Sequence, residues 1–403
     1  MPKKRRCVSL VSIVVIGLFL LQLSALGFVG WNVLSPLTGA QVVIFGSSIN
    51  ATFISPTPDN GSSTTNTFFE VKVNVTDAAD LDYFLFNWNG TNYTSYNDSL
   101  TLMLNFDNVS SLGESDGVVI DHSQYNATVA VNGTNPLFDS SGKFSGAYEF
   151  NQNGCFYTPS YKPEVRTLSF WMYTYSQYGN LTPPYDDPSN GYIFSQRFDN
   201  TEQIGEWDMD WFLQPKLRIY AYQNNSGSAS GQSLTTTADL SINTWYHIVV
   251  TSNGTHVVYY IDGQLDSTHE HNVVLGGANN DDDLFIGCGG ANDNIFFFNG
   301  TMDEVRVWNR TLSLGEVEQL YVSNFRKYDS DKWEFYVNET GLVAGNSYDF
   351  YGFAEDDSSN SGETEVRTVS ITALPGAVPE FSDYAIALLL LTVVGGFFVM
   401  RKK

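Results

Sequence analysis

Residues 243–265 read NTWYHIVVTSNGTHVVYYIDGQL, and this stretch decides the fold class. Asn253-Gly254 and Asp262-Gly263 are favoured two-residue hairpin turns, because Asn, Asp and Gly tolerate the left-handed backbone that such turns need. The runs 245–251 and 256–261 between and before them are β-branched and aromatic, and in places apolar on both faces. That pattern belongs inside a sandwich rather than on a solvated sheet. The same texture extends from 31 to 374, as short runs of Val, Ile, Thr, Tyr, Phe and Trp split by Gly, Asn, Asp and Pro, so the expected class is all-β. The exception is 313–321, SLGEVEQLY. Ser313 stands three residues before Glu316, as in a capping box, and Leu314, Val317, Leu320 and Tyr321 share one helical face.

Composition removes several function classes. The 403 residues carry 20 Lys+Arg against 44 Asp+Glu, a net charge of −24. Lys3, Lys4, Arg5, Arg6, Arg401, Lys402 and Lys403 are all terminal, so the middle of the chain is more acidic still. A nucleic-acid partner would require a basic face. Aromatic residues at 15% and hydrophobic residues at 42% are enough to build a core. Three Cys are too few for a disulfide scaffold, and five His without Cys/His spacing argue against zinc.

The ends set the expected compartment. KKRR at 3–6 precedes an apolar run over 8–30, so residues 1–30 read as a signal peptide or an uncleaved signal anchor, followed by a linker at 31–49. Residues 384–403 read as a transmembrane helix with a basic tail. Basic flanks favour the cytoplasmic side, which places the body of the chain on the extracellular face of the membrane. The linker 375–383 contains Pro379, Glu380 and Phe381. This motif, the apolar helix and the basic end together resemble the archaeal C-terminal sorting signals read by archaeosortases. The resemblance implies a processing peptidase as partner and cleavage near the motif; a plain membrane anchor is the alternative.

An exterior location agrees with 15 Asn-x-Ser/Thr sequons, at Asn50, Asn60, Asn74, Asn89, Asn92, Asn97, Asn108, Asn126, Asn132, Asn180, Asn224, Asn253, Asn299, Asn309 and Asn338. Cys155 and Cys288 are the only Cys outside the N-terminal basic segment, an even pair able to form one disulfide. The carboxylate excess suits a salty or calcium-containing exterior.

FSGAYEF (144–150), TLSFWMY (167–173), the hairpin stretch above, LFIG (284–287) and FNGTMDEVRVWNRTLSLGEV (298–317) follow one another as in laminin-G-like, concanavalin-A-like jelly rolls. The resemblance spans residues 105–323. It implies two antiparallel sheets packed face to face and a generally non-catalytic binding module. The flanks 50–104 and 324–374 each offer too few strands to bury a core, for example FFEVKVNV (68–75) and WEFYVNE (333–339). Together they would make one immunoglobulin-like sandwich with the jelly roll inserted into it. Two separate small β elements are the alternative.

The candidate sites are carboxylates. Glu206, Asp208 and Asp210 in EWDMDW share a strand face, roughly 6.5–7 Å apart per pair. Their order resembles the Glu-x-Asp-x-Glu strand of jelly-roll glucanases, departing from it at Asp210, and a retaining glycosidase would use Glu206 with Asp210. Simple alternation explains them as well, with Trp207, Met209 and Trp211 inward and the acids in water. Asp303 in MDEVRVW shares a face with Val305 and Val307 by strict alternation, so it is expected to point inward at a strand's start. Asp121 in IDHSQYNATV resembles the family's calcium-binding Asp-x-Ser loop, and Asp107 is a weaker candidate; a structural calcium would take oxygens from these and from loop backbone. NNDDD at 279–283 reads as a solvated acidic tip. The expected function is a membrane-anchored surface glycoprotein whose jelly roll binds glycan or an envelope protein without catalysis. A surface glycoside hydrolase and a purely structural envelope component are the competitors.

Overall fold

The computed structural model describes residues 49–151, 153–175, 191–197, 204–212, 215–276, 282–289 and 296–374, all within the compact unit Ser47–Lys403. Both apolar ends, Pro379, Glu380 and Phe381, the sequon Asn180 and the tip residues 279–281 lie outside the described residues. Among the described residues no helix is long and apolar enough to cross a membrane.

Among the described residues two sandwiches are present, and every strand pairing but one is antiparallel. The larger is a jelly-roll-like pair of sheets. One sheet runs Ser228–Thr235, Lys216–Asn225, Trp207–Phe212, Tyr192–Gln196, Leu284–Ile286, Gly154–Thr158, Ala130–Gly133. The other runs Gln264–Glu270, His256–Ile261, Trp245–Ser252, Thr167–Thr174, Asn299–Trp308, Ala147–Asn151, Leu137–Asp139. Phe170, Phe194, Trp207, Met209, Ile219, Val250 and Tyr259 fill the space between them. The rings of Phe170 and Phe194 meet at 4.7 Å. Removing these groups from water supplies the main driving force.

The smaller sandwich draws strands from both sides of the larger one. Phe69–Thr76 pairs with Lys332–Glu339, and Leu81–Trp88 pairs with Ser347–Asp356. Its core contains Val71, Val73, Phe84, Phe86, Phe325, Trp333, Phe335 and Phe350. The alternating burial of FEVKVNVT and KWEFYVNE shows why: odd positions in each strand face that core and even positions face outward.

Two turns differ from one another. Ile261 pairs with Gln264 across Asp262 and Gly263, which have φ of 50° and 78°, the expected two-residue turn. Around Asn253 the connection is longer, because Ser252 pairs with Val257. The Asn253 side chain accepts from Thr255 N, Thr255 Oγ1 and His256 N and closes the loop itself. The helix spans Leu314–Val322 with Ser313 as its cap and the full capping box with Glu316.

The strand Leu100–Leu104, expected in the smaller sandwich, instead hydrogen-bonds to Asn299–Trp308 in the larger. It is buried throughout and serves both cores: Leu102 and Leu104 belong to one, Leu100 and Met103 to the other. Val249 and Trp308, also on jelly-roll strands, join the smaller core. The sandwiches therefore meet across an apolar face, with a polar knot beside it. Glu304 accepts from Asn105 Nδ2 at 2.6 Å, Asn324 Nδ2 at 2.7 Å and Arg306 Nη2 at 2.7 Å.

Candidate functional site

The outward face of the seven-stranded sheet carries the chemistry. Following the register across it, one row reads Tyr157, Phe285, Ser195, Asp208, Tyr220, Ser233. Alternation puts the neighbours Phe156, Ile286, Phe194, Met209 and Ile219 between the sheets, so this row lies on the opposite face, where Ser195, Asp208 and Phe285 are still buried, at 0%, 2% and 7% exposed. The row has an aromatic part and a charged part.

At the aromatic part lies a groove of about 390 Å³ lined by Val131, Asn132, Tyr157, Lys162, Asp282, Asp283 and Phe285. Tyr157 is half-buried, and Phe285 lies parallel to it with ring centroids 5.4 Å apart and planes at 14°. Asp283 accepts from Ser160 N at 3.0 Å, which fixes that acid at the rim. An aromatic wall beside amide, ammonium and carboxylate groups is what a pyranose ring requires. The ring stacks its C–H face on the aromatic and hydrogen-bonds through its hydroxyls.

At the charged part, Trp207, Met209 and Trp211 point into the core as alternation predicts. The expectation that Glu206, Asp208 and Asp210 face water is wrong: they are 0%, 2% and 1% exposed. Burying carboxylates requires partners, and two arginines supply them. Arg218 grips Asp210 through both Nε, at 3.0 Å, and Nη2. Arg197 Nη1 lies 3.5 Å from Asp208 and Arg197 Nε 3.9 Å from Glu206. Ser195 Oγ donates to Asp208 at 2.5 Å. Each guanidinium also stands over a tyrosine ring, Arg197 over Tyr222 at 5.0 Å and Arg218 over Tyr220 at 5.7 Å. Burial pushes Asp208 up to about 6, against the pull of Ser195 and Arg197. Asp210 is also raised by burial, with Arg218 opposing.

The calcium candidates Asp121 and Asp107 are held by protein donors. Asp121 accepts from Met103 N and Ser123 N on Oδ1, and from Ser123 Oγ and Ala127 N on Oδ2, at 2.7–2.9 Å. Four donors pointed at one carboxylate suit the anion and occupy its lone pairs. Asp107 accepts from Gly146 N at 3.0 Å and pairs with Arg326 at 3.3 Å, tying the jelly roll to a strand of the smaller sandwich. Asp303 does not share a face with Val305 and Val307, nor does it begin its strand. A bulge opposite Ser169–Trp171 places two residues where one would sit, and Glu304 has φ of 53°. Met302, Val305 and Val307 enter the core, while Asp303 lies opposite Trp171 on the other face. Among the described residues no group of three or more His, Cys, Asp or Glu is placed to hold a metal.

Cys155 and Cys288 are joined in a disulfide, both fully buried, with Cα atoms 5.7 Å apart. Of the described sequons, Asn50, Asn60, Asn89, Asn92, Asn126, Asn224, Asn253 and Asn309 are exposed, whereas Asn74 and Asn338 lie half-buried on strands. The sequence reading missed Tyr157, Phe285, Lys162, Arg197 and Arg218. Alternation within GCFYT marks Tyr157 as facing away from Phe156, but nothing local reveals the partner strand that brings Phe285 beside it.

This is the architecture of a concanavalin A-like sandwich, and residues 158–318 match the family model described as Concanavalin A-like lectin/glucanases superfamily. The chain thus contains a laminin-G-like domain. Among solved structures it is similar to domain 4 of AbnA, a GH43 extracellular arabinanase from Geobacillus stearothermophilus, in complex with arabinotriose. That likeness has 15% identity and a TM-score of 0.36, covering 55% of this chain and 97% of that one. It is also similar to the Ruminococcus gnavus IT-sialidase CBM40 bound to alpha2,3 sialyllactose, with 13% identity, a TM-score of 0.34 and coverage of 45% and 96%. A third is the binding domain of botulinum neurotoxin serotype D/C, with 17% identity, a TM-score of 0.40 and 56% of this chain covered. The match spans about half of that domain, 52%. The comparison with curated proteins gives no match.

Proposed function

We propose that the chain is a cell-surface glycoprotein whose laminin-G-like domain binds glycan without catalysis. The observation that carries this reading is the groove on the outward sheet face, where Tyr157 stacks on Phe285 beside Asn132, Lys162, Asp282 and Asp283. A sugar presents an apolar face and a rim of hydroxyls, and this lining matches both. The lectin/glucanase description of the matched residues points the same way. A non-catalytic role is favoured because Asp210 is held by both arms of Arg218, and an acid in a bidentate ion pair makes a poor nucleophile or proton shuttle. The flanking strands act in this reading as an immunoglobulin-like host for the binding domain. The anchoring, the exterior location and the processing at Pro379, Glu380 and Phe381 rest on the two apolar ends with basic caps. A buried disulfide accords with an oxidising exterior.

Glycan-array binding of the full chain, followed by titration of the best ligand, tests the proposal. Tyr157→Ala is expected to weaken binding about tenfold or more. No array signal, or a signal unaffected by Tyr157→Ala, overturns the assigned groove. Glycan turnover by the parent that Glu206→Gln abolishes overturns the non-catalytic reading.

A further inference from the structure

A second groove, of about 410 Å³, opens where the jelly-roll hairpin turn, the helix Leu314–Val322 and the smaller sandwich come together. Three aromatic rings and three carboxylates line it: Trp88, Tyr93, Tyr321, Asp262, Glu318 and Glu339. Among its described lining residues there is no lysine or arginine. The groove thus concentrates negative charge against π faces; Lys143, outside the lining, acts on Asp262 alone of the three acids.

Glu339 is the decisive group. It is only 9% exposed, and its sole hydrogen bond among the described residues is a 3.4 Å contact from Gln319 Nε2 to Oε1. Oε2 accepts none from them. Contrast Asp210, more deeply buried but held by a guanidinium, and Asp121, held by four donors. A carboxylate drawn largely out of water without a counter-charge favours a proton or a cation beside it. Burial raises its pKa to about 7, so the bare carboxylate is costly there.

The rings are held in place before any ligand arrives. Trp88 lies parallel to Tyr348, centroids 5.4 Å apart and planes at 10°. Tyr321 lies parallel to Trp171 at 5.6 Å and 24°. The acids stand near these rings: burial first, and then Glu339 and Glu318, raise the Tyr93 pKa, and burial first, and then Asp262, that of Tyr321. Gly263 lets the hairpin turn approach, since a Cβ there would sit 3.2 Å from the Tyr321 Cβ.

We propose that this groove binds an organic ammonium ion, its charge met by Glu339, Glu318 and Asp262 and its alkyl groups packed on Trp88, Tyr93 and Tyr321. Aromatic walls distinguish such a site from a metal site, which would present oxygens in place of rings. The site is independent of the glycan groove, with which it shares no residue.

The test is calorimetric titration of the full chain with tetramethylammonium chloride and, separately, with N-acetyl-lysine methylamide, using sodium chloride at matched ionic strength as control. Saturable binding of either ammonium compound, absent with sodium, is expected. The first result assigns a free quaternary ammonium and the second a lysine carried by a partner chain. Glu339→Gln is expected to weaken binding at least about tenfold. Glu318→Gln, an exposed helix position, is expected to weaken it less while keeping the fold. No saturable binding of either compound, or binding that both substitutions leave unchanged, overturns the proposal.

Discussion

Asp121 and Glu304 show how a carboxylate survives burial in this protein. Asp121 is satisfied by four donors, three of them backbone N–H groups, so it organises the loop that follows strand Leu100–Leu104. Asp121→Ala leaves those donors facing nothing and is expected to cost roughly 3–5 kcal/mol, read from urea unfolding. Glu304 is satisfied by Asn105, Asn324 and Arg306, yet burial still pushes it up to about 7. The sign of the pH effect follows. Between about 4.5 and 7 the native state keeps a proton on Glu304 that the unfolded chain has released, and Asp208, at about 6, behaves likewise. The native state then binds more protons than the unfolded state, so stability falls as pH rises through this window. The urea midpoint is expected to be higher at pH 5 than at pH 7.5. Glu304→Gln should reduce that difference, which separates the local effect from relief of the general negative charge. An unchanged pH dependence in the variant would refute the assignment to Glu304.

The helix and the strand of acids show what element-level patterns carry. The capping box at Ser313 and Glu316 was readable because its geometry is local: three residues separate the donors and acceptors that pair. Ser313→Ala should cost about 1 kcal/mol, measurable as a lowered unfolding midpoint. In strand Trp207–Phe212 the inward set Trp207, Met209 and Trp211 was equally legible from period two. The fate of the opposite set was not, because Arg197 and Arg218 arrive from neighbouring strands whose pairing sequence periodicity does not reveal. Asp303 failed for a related reason. Alternation presumes an unbroken ladder, and the bulge at Glu304–Val305 reverses the faces of every residue before it relative to those after it.

At the scale of the molecule, the two sandwiches are neither separate elements nor cleanly separable. Strands from 69–76 and 332–339 lie side by side, as do those from 81–88 and 347–356. Leu100–Leu104 belongs to the larger sandwich by hydrogen bonding and to both by burial. Fragment 105–323 therefore loses a paired strand and uncovers Val249 and Trp308, which are 0% and 2% exposed in the whole. It is expected to aggregate or to melt well below fragment 49–374. The longer fragment should show one cooperative calorimetric transition, and two resolved transitions would contradict the shared core.

Composition, period-two patterning and turn dipeptides were enough to establish that the body is layered β-structure and that one short helix interrupts it. These are properties of neighbouring residues and of sums along the chain. Which aromatic faces outward beside which, which arginine neutralises which acid, and which carboxylate is left without a counter-charge were decided by strand pairing across tens to hundreds of residues. Glu339 meets Gln319, Trp88 and the turn at Asp262 only once both sandwiches have closed around the helix. Burial is a property of the assembled layers, and so are the partners that burial makes necessary.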